Sequence, residues 1–392
     1  QDTKKQIMAV YKLFPLQDAS IYSFYPYMNT GIDAMIEVGN LNVNINPVPQ
    51  VFRYLVEFDQ TEIEDVIDNK IGGTQFSSSL KCFIANAQGI IFNTELEIYP
   101  ASGSWNNGSG TYLDSPFTTN GVSWRARTFS GSGGTTWLIN NFNPYSTASF
   151  SGSSNSGGGN WFTGSSDPYN TNLYVSQSFT LRSQKDLNAP VTDIIKVWYS
   201  SSKSIGGYTN IENNGFLVKW EDVIEFSTVD SVQPILQFYS VDTNTIYPPQ
   251  LEIKWDDSSF ETGSLPPIQT TDLFVALDSN PGIFYSESIN RFRLNVRPDY
   301  PVRRFLTSSI DTQNHYLPEG SLYSVKDLDT NETLINFDPE FTKISCDKQS
   351  NYFDIYMNGL QPERYYKILI QTTISGSTIV KDDNYYFKVI NR

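Results

Sequence analysis

The 392-residue sequence holds one histidine, two cysteines and four methionines, and each shortage closes off a class of chemistry. A lone imidazole, His315 in "DTQNHYLP", cannot build a Ser-His-Asp arrangement without a matched nucleophile, and no G-x-S-x-G context accompanies it. It reads as a turn-side surface residue. Cys82 and Cys346 lie too far apart in sequence to suggest a disulfide framework or a zinc site, and buried free thiols are expected. No H-E-x-x-H, C-x-x-C, Walker A or G-x-G-x-x-G pattern occurs. Positive charge is also short: 27 Lys plus Arg against 42 Asp plus Glu give a formal charge of −15, which repels phosphate backbones and sets nucleic-acid binding aside. No run approaches the roughly 18 apolar residues of a membrane span, so no membrane insertion is expected.

What the chain has in quantity is aromatic and β-favouring. It carries 25 Phe, 24 Tyr and 7 Trp, with Asn, Ser, Gly and Pro spread along its length, the composition of strands joined by turns. Its length suggests two or three domains. "VFRYLVEFD" (51 to 59) alternates Phe52, Tyr54, Val56 and Phe58 with Arg53, Leu55 and Glu57, which predicts a strand with one strongly aromatic face. Thr61 with Glu64 fits a capping box, and the spacing of Ile63, Val66, Ile67 and Ile71 predicts a short helix over about Glu62 to Lys70, stopped by Gly72 and Gly73. A second helix is predicted at "TDIIKVWYSSSK", capped by Thr192. Pro266 and Pro267 interrupt the strand pattern and predict a linker over 258 to 271. The expected fold is all-β: an N-terminal sandwich over 1 to 257, jelly-roll-like with two short helices, and an immunoglobulin or fibronectin-like domain over 272 to 392.

One tract resists reading as a tether. "SGSWNNGSGTYLDSPFTTNGVSWRARTFSGSGGTTWLINNF" (102 to 142) sets Trp105, Trp124 and Trp137 among small polar residues. A disordered segment needs few large apolar groups, so order is expected here. Paired carboxylates for sugar chemistry could be sought at Asp114 with Asp167, or Asp256 with Asp257, but 42 acids make chance pairs plentiful. No catalytic residue is assigned. "WDDSS" (255 to 259) is a weak calcium candidate without the EF-hand spacing, and no cofactor is expected.

The motifs "DASIYSFYPYMNTG", "FRYLVEFD", "LKCFIANA", "GSWNNGSGTYLDSPFTTNGVSW", "VTDIIKVW", "NNGFLVKW" and "LQFYSVDTNTIYPPQLEIKW", taken in order over about 18 to 256, resemble the DNRLRE-type β-sandwich family, whose members look like carbohydrate-binding modules. The resemblance implies that Trp105 and Trp124 pack against the sandwich. The chain departs from the usual module at about 130 to 172, a Gly/Ser-rich insertion carrying Trp137, Phe142, Tyr145, Phe150, Trp161 and Phe162, which are expected to contact a partner or ligand. With "FDPEFTKISCD" and "MNGLQPERYYKILIQ", the whole chain is similar to structural proteins of contractile-tailed phages. That implies a non-enzymatic virion protein of the tail, baseplate or neck, binding copies of itself and other virion proteins. The alternative is a carbohydrate-binding adhesion module on a phage or bacterial surface.

Overall fold

The structure, a computed structural model, describes residues 9–41, 50–130, 133–137, 157–162, 173–205, 211–227, 233–256, 258–278, 280–300 and 313–391. The chain is all-β in class and divides into two compact units, Leu13–Glu252 and Ile253–Arg392, the latter joined by Gln1–Lys12. Strand β1 (Ala9–Leu13) accordingly belongs, through Lys12, with the C-terminal unit.

The N-terminal unit follows with β2 (Pro15–Tyr22), β3 (Met35–Leu41), β4 (Gln50–Phe58), α1 (Gln60–Asp65) running on as a π-helical turn (Val66–Ile71), β5 (Ser77–Cys82), β6 (Ile84–Gln88) and β7 (Thr94–Pro100). After the long polar tract come β8 (Ala126–Ser130), β9 (Gly133–Thr136), β10 (Val175–Phe179), β11 (Leu187–Pro190), α2 (Thr192–Ser202), β12 (Phe216–Trp220), α3 (Asp222–Glu225), β13 (Ile235–Tyr239) and β14 (Gln250–Trp255). The main sheet runs β10-β7-β12-β4-β3-β13-β6, with β2 also against β4; β14, β5 and β11 lie side by side in a second sheet, and β8 and β9 form a separate hairpin.

Strand β4 organises this unit. It pairs antiparallel with β2 from Pro15↔Phe58 to Tyr22↔Phe52, with β12 at Tyr54 to Val56, and with β3 at Gln50 to Phe52. Its aromatic face, Phe52, Tyr54, Val56 and Phe58, is buried as the alternation predicts. The opposite face is buried too: Val51, Arg53 and Leu55 are closed to solvent, so a guanidinium sits inside. Both predicted helices form, with different caps. Asp59, not Thr61, caps α1 by accepting from the Thr61 N–H at 2.8 Å, and Gly72 ends the turn in the left-handed region at φ 74°. Thr192 opens α2, but its hydroxyl accepts from Ser78 N–H at 2.9 Å, tying the helix to β5 instead of capping it. The one-turn α3 had no periodic signal.

The C-terminal unit contains β15 (Leu273–Asp278), β16 (Ile283–Tyr285), β17 (Ile289–Pro298), β18 (Leu322–Asp327), β19 (Thr333–Ile335), β20 (Ser345–Cys346), β21 (Asn351–Tyr356), β22 (Tyr365–Ile374) and β23 (Ser377–Ile390). Its sheets run β15-β17-β21-β20 and β16-β23-β22-β18-β19. Lettered in chain order, these are A-B-E-D and A′-G-F-C-C′, the strand order of an immunoglobulin-type sandwich. Near the start of β22 the Tyr366 hydroxyl donates back to the Gln361 carbonyl at 2.6 Å, the tyrosine corner found at this place in such sandwiches. Phe292, Tyr323, Phe353, Tyr366 and Phe387 form the aromatic centre of the core.

Two boundary expectations are corrected. Residues 1 to 12 and 253 to 257 fall with the C-terminal unit, not with a domain over 1 to 257. Within that unit Tyr11 and Trp255 each meet the Tyr356 ring edge-on, and Asn358 Nδ2 donates to the Lys12 carbonyl at 2.8 Å. Nor is 258 to 271 a free linker. Cys346 N–H donates to Ser259 O, Glu261 N–H to Cys346 O and Ile268 N–H to Tyr316 O, so the stretch is laced along the sandwich. Its prolines mark chain bends while the neighbouring backbone groups remain paired.

Candidate functional site

The polar tract after β7 is ordered by a few buried polar side chains. Asn29 is its hub: Nδ2 donates to the carbonyls of Asn107 at 2.7 Å and Val122 at 2.8 Å, while Oδ1 accepts from Gly110 N–H at 2.8 Å. Gln17 spans the same tract, donating to Trp105 O and accepting from Asn107 N–H. Gly31 is required at this crossing, because a Cβ there would stand 2.0 Å from the Asn107 carbonyl oxygen. Trp105 Nε1 donates to Asn214 O at 2.9 Å and Trp137 Nε1 to Ser123 O at 3.0 Å. With their N–H groups satisfied, both rings can be buried without penalty. Trp105, Trp124, Trp137 and Trp161 share one apolar cluster with Val51, Leu55 and Leu217.

Beneath this layer lies a buried charge network. Arg53 has its guanidinium carbon 5.1 Å from both the Trp124 and the Trp161 ring centroids, and donates to the Gly158 carbonyl at 2.5 Å. Glu225 binds it in bidentate fashion, and Lys219 stands 3.0 Å from Glu97, 2.8 Å from Asp222 and 3.7 Å from Glu225. Gly158 takes φ 80°, and a Cβ there would lie 2.8 Å from Arg53 Nη1 and from the Trp124 ring.

These contacts place the residues singled out in the insertion. Trp137 is closed to solvent and Trp161 is 7% exposed, so both belong to the core of their own unit and do not present their rings to a partner. Phe162 is half-buried, its N–H on the Pro100 carbonyl at 3.0 Å. Phe142, Tyr145 and Phe150 lie outside the described residues. So do Asp167 and Asp257, one member of each carboxylate pair. Their partners are engaged structurally: Asp114 accepts from Thr111 and Thr118, bonds that hold its carboxyl below the usual range, and Asp256 meets Lys343 at 2.7 Å and Ser258 N–H at 2.9 Å. Among the described residues no group of three or more His, Cys, Asp or Glu could hold a metal ion. Cys82 and Cys346 are free and buried, and burial pushes the Cys82 thiol up to about 12.

The surface that the tract builds is elsewhere. The loop "GTYLDSPF", closed by Asp114, exposes Leu113 to 88% and carries Tyr112 and Phe117 beside Tyr25. Tyr25 lies 4.8 Å from Phe117 and 6.3 Å from Tyr112, and Tyr112 lies 5.3 Å from Tyr22. Tyr27, also exposed, is covered on one face by Arg125 at 5.6 Å. Tyr112 is fixed by its N–H on the Asp33 carboxylate at 3.0 Å; burial, with the nearby charges of Glu37 and Asp114, raises Asp33 to about 6. Sequence reading missed these aromatics because "SFYPY" and "TYLDSPF" sit in turns, without a period. Aromatics flanking Pro26 and Pro116 were the available signal.

The rings in the cluster are tilted by 48° to 65°, which makes a knobbed apolar surface and not a flat stacking platform. Such a surface suits packing against another protein, since Tyr and Phe combine large contact area with few rotors. Among the described residues no helix is long and apolar enough to cross a membrane. No protein-family model and no curated protein matches the sequence. Among solved structures the chain is similar to a DUF4785 family protein from Legionella pneumophila, at 8% identity over 98% of this chain and 63% of that one with a TM-score of 0.17. It is also similar to a β-glucuronidase from Parabacteroides merdae, at 9% identity over 99% of this chain and 36% of that one with a TM-score of 0.16. The chain thus spans less than two thirds of either protein, and likenesses this slight leave the two sandwiches to be read from their own geometry.

Proposed function

We propose that this chain is a non-enzymatic structural protein of a phage virion, in its tail, baseplate or neck, that assembles through exposed aromatic surface on its β-sandwich. The observation that carries the proposal is the cluster of Tyr25, Tyr112, Leu113 and Phe117, solvent-exposed yet held on a loop that Asp114, Asp33 and Asn29 fix in place. Preorganised apolar groups lose little entropy on docking, and aromatic residues at the centre of an interface dominate its energy. Assignment to a virion rests on the resemblance in sequence wording set out above. The partners are copies of this chain or neighbouring virion proteins.

Incorporation into particles tests this. Phages carrying Leu113→Asp with Tyr112→Ser are expected to lose the protein from purified particles, because truncating a central anchor costs about 2 kcal/mol or more, roughly thirtyfold in affinity. Circular dichroism and melting of the isolated variant should match the parent. Particles that retain the variant at parental occupancy, or antibodies that fail to label any virion, would overturn the proposal.

A further inference from the structure

In the C-terminal unit one sheet face mixes aromatic and cationic groups. On β22 and β23 the positions Tyr366, Ile368, Phe387 and Val389 belong to the core, so the residues alternating with them face outward. The register sets the outward residues in two cross-strand rows: Ile283, Lys388 and Tyr365 in one, Tyr386, Lys367 and Lys326 in the next. Ile283, Tyr365 and Tyr386 are each about half exposed, as is Tyr285 on β16. We propose that this face of one copy docks on the surface of Tyr25, Tyr112, Leu113 and Phe117 on a second copy. The contact is head-to-tail, between unlike surfaces; it rests on the assembly reading above and names the partner.

Charge selects that occupant. Lys326 and Lys367 stand directly opposite one another on β18 and β22, a like-charge pair that costs stability in an isolated sheet. Asp382 meets Lys367 at 2.6 Å and Glu363 pairs with Lys388, but among the described residues no carboxylate pairs with Lys326. Two such faces brought together would set lysine against lysine, whereas an acidic partner relieves the pair. Residues 13 to 252 hold 10 Lys plus Arg against 22 Asp plus Glu, so that unit carries −12 of the chain's −15. Its aromatic cluster is bordered by Asp33, whose carboxyl feels the charges of Glu37 and Asp114, with Arg125 the cation beside Tyr27. Opposite signs around two apolar centres steer encounter and fix register.

The areas correspond as well. A large aromatic side chain carries about 150 to 250 Å², so four partly exposed groups on each surface offer roughly 400 Å² per copy. That is about half of the ~800 Å² per partner that a specific interface buries, leaving the remainder to the polar rim. Because the two surfaces differ, each copy keeps one of them free after pairing, and the contact can pass from copy to copy.

Sedimentation of the full-length protein over a range of concentration and salt tests this. Self-association is expected, weakening as salt rises. Lys326→Glu turns the like-charge pair into an opposite one, so melting should hold or rise while association falls. Joined with Tyr386→Ser, it should weaken association roughly thirtyfold. Should the double variant fail to fold, Lys326→Glu alone carries the comparison. Where the parent associates, this variant and the Leu113→Asp, Tyr112→Ser variant should each be monomeric alone. Mixed, they should form a one-to-one dimer, since each still offers the surface that the other needs. A parent that is monomeric throughout, a Lys326→Glu, Tyr386→Ser variant that associates like the parent, or a mixture that gives no dimer would each overturn the assignment. Loss of the Leu113→Asp, Tyr112→Ser protein from particles, together with no dimer in the mixture, would leave the assembly reading standing and remove this partner alone.

Discussion

Arg53 meets Glu225 through two parallel hydrogen bonds, Nε to Oε1 at 2.6 Å and Nη2 to Oε2 at 2.9 Å, with both side chains closed to solvent. The pair fastens β4 to the short helix α3, and its cationic member is also the floor on which Trp124 and Trp161 rest.

Breaking this pair should be costly and asymmetric. Glu225→Gln leaves Arg53 buried without a full counter-charge and weakens the field on Lys219, and is expected to destabilise by about 3 to 5 kcal/mol. Arg53→Met should cost less, because Lys219 already stands 3.7 Å from Glu225 and can take its charge. Urea unfolding of the two variants decides the order; equal losses would show that Lys219 does not compensate.

Asp18 should make the fold weaken as pH rises. Burial pushes its carboxyl up from 3.8 to about 8, with the charge of Asp242 adding and the Val241 N–H opposing. Since the folded value lies above the unfolded one, the stabilisation is complete below about pH 4 and is lost as pH climbs through about 8. Asp18→Asn keeps an oxygen for the Val241 N–H and carries no charge. It should match the parent near pH 4 and exceed it at pH 8, with the parent's slope at most about 1.4 kcal/mol per pH unit from this group. A slope that survives the substitution would place its origin elsewhere, with Asp33, raised to about 6, the next to examine.

Trp137 should behave as a core residue of the isolated chain. Trp137→Ala is expected to lower its stability by about 3 to 5 kcal/mol before any partner is present. The insertion between the described stems is another matter: Trp137 N–H donates to Arg125 O and Gly158 N–H to Trp124 O, adjacent carbonyls, so the two stems start side by side. Replacing 138 to 156 with a short Gly/Ser connection should leave the melting temperature within a few degrees.

Asn29→Ala should loosen the tract without unfolding the sandwich. It strands the Asn107 and Val122 carbonyls and the Gly110 N–H, each a loss of about 1 to 3 kcal/mol if buried without water. Faster amide exchange confined to residues 106 to 122 is the expected signature. Exchange that rises equally across β4 and β12 would show instead that tract and sheet open as one.

The stretch 258 to 271 should resist limited proteolysis despite its prolines, since Ser259 O and Glu261 N–H are paired with Cys346, and Pro266 O and Ile268 N–H with Tyr316. Rapid cleavage there would mean that these bonds open freely.

What was legible in the sequence was local. Alternation at 51 to 59 announced β4, the apolar spacing at 192 to 203 announced α2, and the tryptophans of 102 to 137 announced an ordered tract. Long-range pairing was hidden. Nothing in "VFRYLVEFD" tells that Arg53 is met by Glu225 from 172 positions away, because a charge at an alternating position normally faces water. Trp137 and Trp161 looked like contact residues since glycine and serine surround them, but both rings are buried, and the glycines at 157 and 158 bring backbone against the neighbouring Trp124 ring. Prolines at 266 and 267 resembled a domain linker because proline marks bends in ordered and free chain alike.

The strand that opens the described chain joins β14 in the sheet and meets further companions still later in the message. Lys12 and Asn358 are bonded across 346 positions, and Tyr11 packs against Tyr356. At a synthesis rate of about 5 to 20 residues per second, Tyr11 leaves the ribosome roughly 20 to 70 s before the ring it will meet. During that interval the sandwich of 13 to 252 can close, and residues 9 to 12 can already join β14 (Gln250–Trp255), their neighbour in the sheet. A chain halted between residues 255 and 356 would therefore hold β1 on its strand neighbour but with Tyr11 and Lys12 still uncovered by Tyr356 and Asn358.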